Sequence, residues 1–248
     1  VNVPRQEKER FRHELKYRIS RSEHELMKLR MRDIMKLDKH AKNGGYMIRS
    51  LYFDDYWNTA YNEKDAGVLM RKKYRIRIYD CSDRTIHLER KKKFENYIFK
   101  ESAPLTREQF YQILNGSYDF LLTSPHRLLQ EFYVECVSNG MRPRTIVDYE
   151  REPWIMDEGT VRVTFDMNVR AAIDGFDIFD PSLPALPALE EPELILEVKY
   201  TEFLPQIVRD IVPPGAAELR AFSKYVMCYD LTQYKHGFTY WYDGRFGS

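Results

Sequence analysis

Residues 71–80 read RKKYRIRIYD. With the two-residue period of a β-strand, Lys73, Arg75 and Arg77 fall on one face and Tyr74, Ile76 and Ile78 on the other. Lys72 falls on the apolar side. Cations at alternate positions repel one another and gain nothing from packing, so the row needs something to face. After the turn-prone Cys81-Ser82-Asp83, TIHLERKKKF (85–94) repeats the arrangement, with His87, Glu89, Lys91 and Lys93 opposite Ile86 and Leu88. The two segments are expected to form a long antiparallel hairpin.

The same alternation recurs along the chain. In the strand predicted over 11–19, Glu14, Lys16 and Arg18 oppose Phe11, Leu15, Tyr17 and Ile19. In TVRVTFD, Arg162, Thr164 and Asp166 oppose Val161, Val163 and Phe165; in ELILEVKY, Glu197 and Lys199 oppose Leu196, Val198 and Tyr200. Further strands are expected at 46–55, at 142–152, where Tyr149 and Arg151 share a face and a bulge is compatible with the pattern, and over 159–172. Ser20 with Glu23 predicts a capped helix through about Met35. Other helical stretches are expected from Trp57 to Gly67, from Thr106, over 124–140 with a Gly140 stop, from Phe203 to Val212, and over 222–234. Residues 180–193, DPSLPALPALEEPE, read as a proline-rich loop. No internal repeat is present.

A one-sided sheet with its polar face in water accounts for any one of these strands. Across five, the faces are dominated by Lys and Arg with an occasional carboxylate, where solvent faces normally mix in Ser, Thr, Gln and Asn. If the apolar faces meet the helices, the polar faces point together and enclose a charged interior, the reverse of a small barrel filled by apolar side chains. Unpaired buried cations are expensive to desolvate, so such an interior calls for water and a polyanion. Phosphate chains suit Lys and Arg, and the sparse carboxylates suit Mg²⁺ or Mn²⁺.

Bulk properties exclude other classes. Net charge is +1 over 248 residues, so no global field marks a nucleic-acid or membrane binder. Aromatic side chains interleave with apolar faces instead of lining the basic ones, which argues against base stacking. With a mean hydropathy of −0.59 and no long apolar run, no membrane insertion is expected. The first residues, VNVPRQEKERFRHE, hold no apolar signal-peptide core. Cys81, Cys136 and Cys228 are odd in number and widely spaced, as expected of reduced thiols in a cytoplasmic protein. No glycine-rich phosphate loop, nucleophile elbow or H-E-x-x-H is present, and the six histidines form no cluster, so bound phosphate must be held by side chains.

In order and spacing, FRHELKYRIS, SLYFDD followed by Tyr61, YRIRIY, HLERKKK, RTIVDYER, VRVTFD, LILEVKY and AFSKY resemble the VTC domain, the polyphosphate polymerase module of the CYTH-like triphosphate tunnel metalloenzyme superfamily. The resemblance runs from about Phe11 to Tyr234. It implies an α+β fold, an antiparallel eight-stranded β-tunnel with helices packed outside, as one domain over 1–248. It also implies that Lys16, Arg75, Arg77, Lys91, Lys100, Arg151 and Arg162 hold the phosphate chain together with Tyr149, Ser223 and Lys224, with Lys199 on the same wall. Of these, Arg75, Arg77, Lys91 and Arg151 would clamp the reacting phosphates. Glu197 matches the carboxylate for Mn²⁺ or Mg²⁺, while Glu14 and Glu89 are either further metal ligands or partners that orient lysines. The implied activity is transfer of the terminal phosphoryl group of ATP to a growing polyphosphate chain. A triphosphatase acting on inorganic or nucleoside triphosphate, and a non-catalytic polyphosphate-binding module, are the alternatives. Two positions depart from the family pattern: Ala221 stands where a lysine is usual, with Arg220 adjacent, and Lys93 stands where a histidine is usual. From these residues neither a regulatory SPX domain nor a membrane span is expected, and a membrane-protein partner is left open.

Overall fold

The computed structural model of the protein describes residues 13–41, 44–65, 68, 70–94, 97–212, 217–218 and 222–236. Phe11, Gly67, the Pro-Pro-Gly break at 213–215, Arg220 and Ala221 lie outside them. Eleven strands join in one sheet. Eight are long: β1 (His13–Ser20), β3 (Tyr46–Asp54), β4 (Met70–Tyr79), β5 (Ser82–Phe94), β6 (Tyr97–Pro104), β7 (Arg142–Met156), β8 (Val161–Ala172) and β10 (Glu193–Tyr200). Three are short: β2 (Lys36–Leu37), β9 (Ala185–Pro187) and β11 (Ala217–Glu218). The order is β11-β1-β10-β8-β7-β3-β4-β5-β6, with β2 on β7 and β9 on β8, and every pairing is antiparallel.

The strand β6 has no counterpart in the alternation reading. Tyr97-Ile98-Phe99 is a continuous apolar run without a two-residue period, and only pairing against β5 fixes it. Other differences are at element ends. Helix α1 (Arg21–Met31) starts on the Ser20–Glu23 capping box but stops four residues before Met35, because the chain leaves it to reach β2. The β4–β5 turn lies at Asp80 and Cys81, both at positive φ (51° and 52°), so Ser82 and Asp83 belong to β5. That geometry matches the right-handed twist of the flanking strands. The anticipated irregularity in β7 is a register shift between Asp148 and Glu150.

The remaining helices are α2 (Thr59–Asp65), α3 (Arg107–Leu114), α4 (Asp119–Leu122), α5 (Arg127–Ser138), α6 (Gln206–Ile211) and α7 (Lys224–His236). Two apolar cores lie on the outer face of the sheet. In the first, Leu51, Phe53, Tyr74, Ile76, Ile78, Ile86 and Leu88 from β3, β4 and β5 pack on Phe110 and Ile113 of α3, Leu121 of α4 and Phe132 of α5. In the second, Ile19, Val163, Phe165, Leu196 and Val198 from β1, β8 and β10 pack on Met27 and Met31 of α1 and Val208 and Ile211 of α6. These are the apolar rows of the sequence, so the charged rows turn the other way.

Helix α7 differs from the others. Its Cys228 belongs to a third cluster with Ile48, Val147, Tyr149 and Ile195, residues that share strand faces with the charged rows. It lies on the inner face, against β7 and β8. Cys136 and Cys228 are both buried and free.

Ile76 sits at the centre of the first outer core with no solvent exposure. Ile76→Ala should destabilise the protein by about 2–5 kcal/mol, the cost of a buried cavity where helices clamp the sheet. The shift in urea midpoint at constant m checks this, and a loss below ~1 kcal/mol would contradict the packing described.

Candidate functional site in the lumen of the sheet

If the sheet were flat, β1 and β5 would lie six strand spacings apart, about 29 Å. Instead Lys91 Nζ on β5 is 3.2 Å from Glu14 Oε2 on β1. The sheet therefore rolls until its inner face closes on itself. Among the described residues no backbone ladder joins β6 to β1, and side chains close the gap.

The closure belongs to a continuous ring of polar contacts. From Lys91 it runs through Glu14 to Lys199 (3.8 Å), then Glu197 (2.9 Å), then Arg151 (3.3 Å). Arg151 donates through Nε and Nη2 to Asp166 at 2.7 and 2.8 Å, and Asp166 accepts the Lys224 ammonium at 2.5 Å. The ring continues across the Tyr149 face, where Lys224 Nζ lies 4.9 Å from the centroid, to the Tyr149 hydroxyl, which accepts from Arg77 at 3.3 Å. Arg77 lies 3.9 Å from Glu89, which also binds Arg75 and Lys100 at 2.6 Å each, and Glu89 is two residues from Lys91 on β5. Strands β5, β1, β10, β7, β8 and β4 and helix α7 all contribute.

Every residue assigned from the sequence lies on this inner surface or at its rim. Lys16 reaches Glu14 at 3.3 Å, and Arg75 also donates to Tyr52 at 2.8 Å. Ser223 accepts from Lys73, a cation to which the family pattern gives no role, at 3.2 Å. Arg162 stands apart: it donates to the Tyr46 hydroxyl and pairs with Asp38 at 2.9 Å, at the rim. His87 and Lys93 continue the inner row of β5, in register with Arg77 and Arg71. Lys72 points outward, as expected, and pairs with Glu135 of α5. Several participants carried no assignment in the sequence reading, Tyr46 and Lys73 among them. Asp166 was visible as a charged residue on an inward row, whereas Tyr52 and Asp38 become significant only through the partners that folding brings to them.

The four carboxylates are deep, and so are Arg77, Arg151 and Lys224, while Lys91 and Lys100 are far more exposed. Glu14, Glu89, Asp166 and Glu197 are all nearly inaccessible, whereas Lys91 and Lys100 keep 43% and 50% of their side-chain surface toward solvent. The acids orient the basic stems, and the Lys91 and Lys100 tips are the ones that reach solvent. The described lumen gathers Lys16, Lys73, Arg75, Arg77, Lys91, Lys100, Arg151, Lys199 and Lys224 around those four acids. Nine cations against four carboxylates leave a strongly positive cavity.

Protonation equilibria follow from this crowding. Burial pushes the Lys16, Lys91 and Lys199 ammonium groups down to about 8; carboxylates such as Glu14 oppose the shift, and neighbouring cations reinforce it. Burial acts to raise Glu14, Glu89 and Asp166, but their basic partners outweigh it and hold all three well below the usual carboxylate range. Tyr149 shows the same competition: Arg151 and Arg77 overcome burial and bring its phenol to about 8.

For divalent metal, the described residues hold no group of three His, Cys, Asp or Glu side chains, so no all-protein cage exists among them. A smaller donor set is present. Glu14 and Glu197, on paired strands, converge on the same Lys199 ammonium. Two carboxylates around one cation, next to a lumen that can take phosphate oxygens, match an ion bound by one or two carboxylates plus substrate.

The lowered lysines and Tyr149 carry a stability consequence. Between pH 8 and 9 the unfolded chain binds more protons at these groups than the folded one, so ligand-free stability should rise with pH. Urea midpoints measured across that window check the sign. Lys16→Met should flatten the slope, and a fall in stability from pH 8 to 9 would contradict the crowding.

No curated protein matches the sequence. Solved structures do resemble the fold. HpAC1 from Hippeastrum, assigned as an adenylyl cyclase and reported to have a dominant triphosphatase activity, superimposes with a TM-score of 0.54 at 15% identity, covering 88% of this chain and 95% of that one. PH1819 from Pyrococcus horikoshii OT3 gives 0.47 at 11% identity over 88% and 99%, and a protein from Bacillus halodurans assigned as an adenylate cyclase gives 0.46 at 10% over 78% and 81%. The VTC domain model matches residues 11–233. A rolled antiparallel sheet with a cationic lumen is thus joined to a sequence match over most of its length, and the chain belongs to the VTC domain family, with the triphosphate tunnel fold.

Proposed function

We propose that the protein is a divalent-metal-dependent polyphosphate polymerase that transfers the terminal phosphoryl group of ATP to an inorganic polyphosphate chain in the lumen, releasing ADP. The observation that carries the reading is the ring itself: cations from six strands and a helix converge on one cavity and outnumber the four acids that orient them. The reading takes residues 1–248 as one tunnel domain acting in the cytoplasm on ATP and polyphosphate, without nucleic acid. No described helix is long and apolar enough to cross a membrane.

The reaction requires no covalent nucleophile from the protein, because the attacking group is a phosphate oxygen of the acceptor chain. What the chain must supply is in-line placement and neutralisation of the charge that develops on the transferring group. Arg75, Arg77, Lys91 and Arg151 are assigned to clamp the reacting phosphates, each held by a buried acid that fixes where its remaining N–H groups point. Lys16, Lys100, Tyr149, Lys199, Ser223 and Lys224 extend the grip along the chain, with Arg162 at the rim. Ser223 and Lys224 stand at the start of α7, where the helix dipole favours an anion. Glu197, with Glu14 across the ladder, would hold Mn²⁺ or Mg²⁺, which supplies further neutralisation of phosphate oxygens when bound. Binding a polyanion returns the lysines lowered to about 8 to full charge, so the ligand and the protonated lumen stabilise each other.

Hydrolysis is the second reading, with water as the acceptor. One observation favours it: the Tyr149 side chain is brought to about 8 beside two guanidinium groups, and its phenolate, once ionised, can accept the proton that an attacking water must lose. Transfer to a phosphate oxygen needs no such acceptor.

Incubation with ATP and Mn²⁺, followed by sizing of the products, separates the two. Long chains with ADP support the polymerase; orthophosphate without chains supports the hydrolase; no turnover of ATP leaves a binding module. Arg75→Ala and Arg77→Ala should each lower turnover by about 100-fold or more while the fold persists. Full metal-dependent turnover in Glu197→Gln would remove that residue from the metal site.

A further inference from the structure

Asp54, at the end of β3, belongs to neither the charged ring nor the outer cores, yet it is almost completely buried. Four donors converge on its carboxylate. Oδ1 accepts from the backbone N–H groups of Asp55 and Ala60 at 3.0 and 2.9 Å. Oδ2 accepts from the N–H of Tyr61 at 3.0 Å and the hydroxyl of Tyr225 at 2.8 Å. Three of these bonds shape the chain entering α2; the fourth crosses to α7.

Tyr225 is the link between this carboxylate and the lumen. It follows Lys224 directly, in the first turn of α7. Its ring stacks on Tyr52 with centroids 5.1 Å apart, and Lys73 Nζ sits 4.7 Å over its face. Tyr52 in turn accepts from Arg75, and Lys73 donates to Ser223. One hydrogen bond from Tyr225 to Asp54 therefore fixes the rotation of the helix turn that carries Ser223 and Lys224, and the ring against which Lys73 and Tyr52 rest. Farther along α7, Thr232 reaches Thr145, which ties the rest of the helix to β7 without Asp54, and the Tyr61 hydroxyl reaches Asp230.

We propose that Asp54 is a positioning residue for the phosphate-binding lumen: through Tyr225 it sets the placement of Ser223, Lys224 and Lys73, without touching the ligand. An aspartate is needed because all four neighbours are donors. An asparagine in its place would not serve, since its amide would turn a donor toward an N–H or O–H group. The proposal rests on the reading of the lumen as a phosphate-chain site.

The test measures binding of inorganic tripolyphosphate by calorimetry, with no dependence on turnover. Asp54→Asn and Tyr225→Phe should each weaken binding about tenfold, and the double variant no more than either alone. In a Lys224→Ala background, Asp54→Asn should have a smaller effect than in the wild type, the remainder coming through Ser223 and Lys73. Folded variants with lowered denaturation midpoints but wild-type affinity, or additive losses, would show a structural role only and overturn the proposal. Should Asp54→Asn fail to fold, Tyr225→Phe decides the matter, because it keeps the stacked ring and removes only the hydroxyl. A wild-type protein that does not bind tripolyphosphate overturns the lumen reading and this proposal with it; binding that is unaffected in Tyr225→Phe overturns this proposal alone.

Discussion

Nine cations in one lumen repel one another and lose hydration, and the rest of the structure is arranged around that cost. Four buried acids meet it only in part. Each is shared: Glu14 among Lys16, Lys91 and Lys199; Glu89 among Arg75, Arg77 and Lys100; Asp166 between Arg151 and Lys224; Glu197 between Lys199 and Arg151. Sharing lets few carboxylates orient many basic stems while the cavity stays positive. Removing one acid would strand two or three cations at once, so these groups act as a unit and not as separable pairs.

The same contacts explain how the sheet stays rolled without a complete backbone ladder. The Glu14–Lys91 pair joins what would otherwise be distant parts of the sheet, Glu89–Lys100 ties the edge strand β6 to the wall beside it, and the two outer cores press the strands inward from behind. Helix α7 completes the enclosure from inside. Its small buried side chains, Cys228 and Thr232, allow it to lie close to the inner face, while its first turn delivers Lys224 to Asp166. Apolar packing along its length and charge at its start let one helix both fill part of the cavity and line the rest.

The alternation of charge and apolarity made most of this legible in the sequence, because a period of two places every other residue on one face whatever the strand order. Arg75, Arg77, Glu89, Lys91, Arg162, Asp166, Glu197 and Lys199 could all be put on inward rows for that reason. What periodicity does not carry is pairing. Strand β6 was hidden by an apolar run, and the partners of Lys100 and Arg75 depend on contacts that only the folded sheet makes. Charge alone is also an unreliable marker of the lumen. Arg49 and Arg90 are as basic as the ring residues, but they point outward, where Asp148 and Glu101 hold them in two-point hydrogen bonds. The placement of α7 on the inner face was illegible because a helix over 222–234 can be expected from the sequence without any sign of which surface it packs against.

The excess of cations over acids bears on what the proposed site would select. A small anion entering the cavity can engage a few ammonium tips, but it leaves the remaining cations as crowded as before. A linear polyanion reaches tips on opposite walls at once, relieving repulsion around the whole ring without displacing the acids that orient the stems. Its gain grows with every cation it adds, whereas the cost of ordering the lumen has already been met by the carboxylates in the folded chain. On the proposed reading, a preference for chains over single phosphates would follow from this excess of shared cations, more than from any one ligand. With as many acids as cations on the same rows, the lumen would instead be a neutral, self-satisfied core.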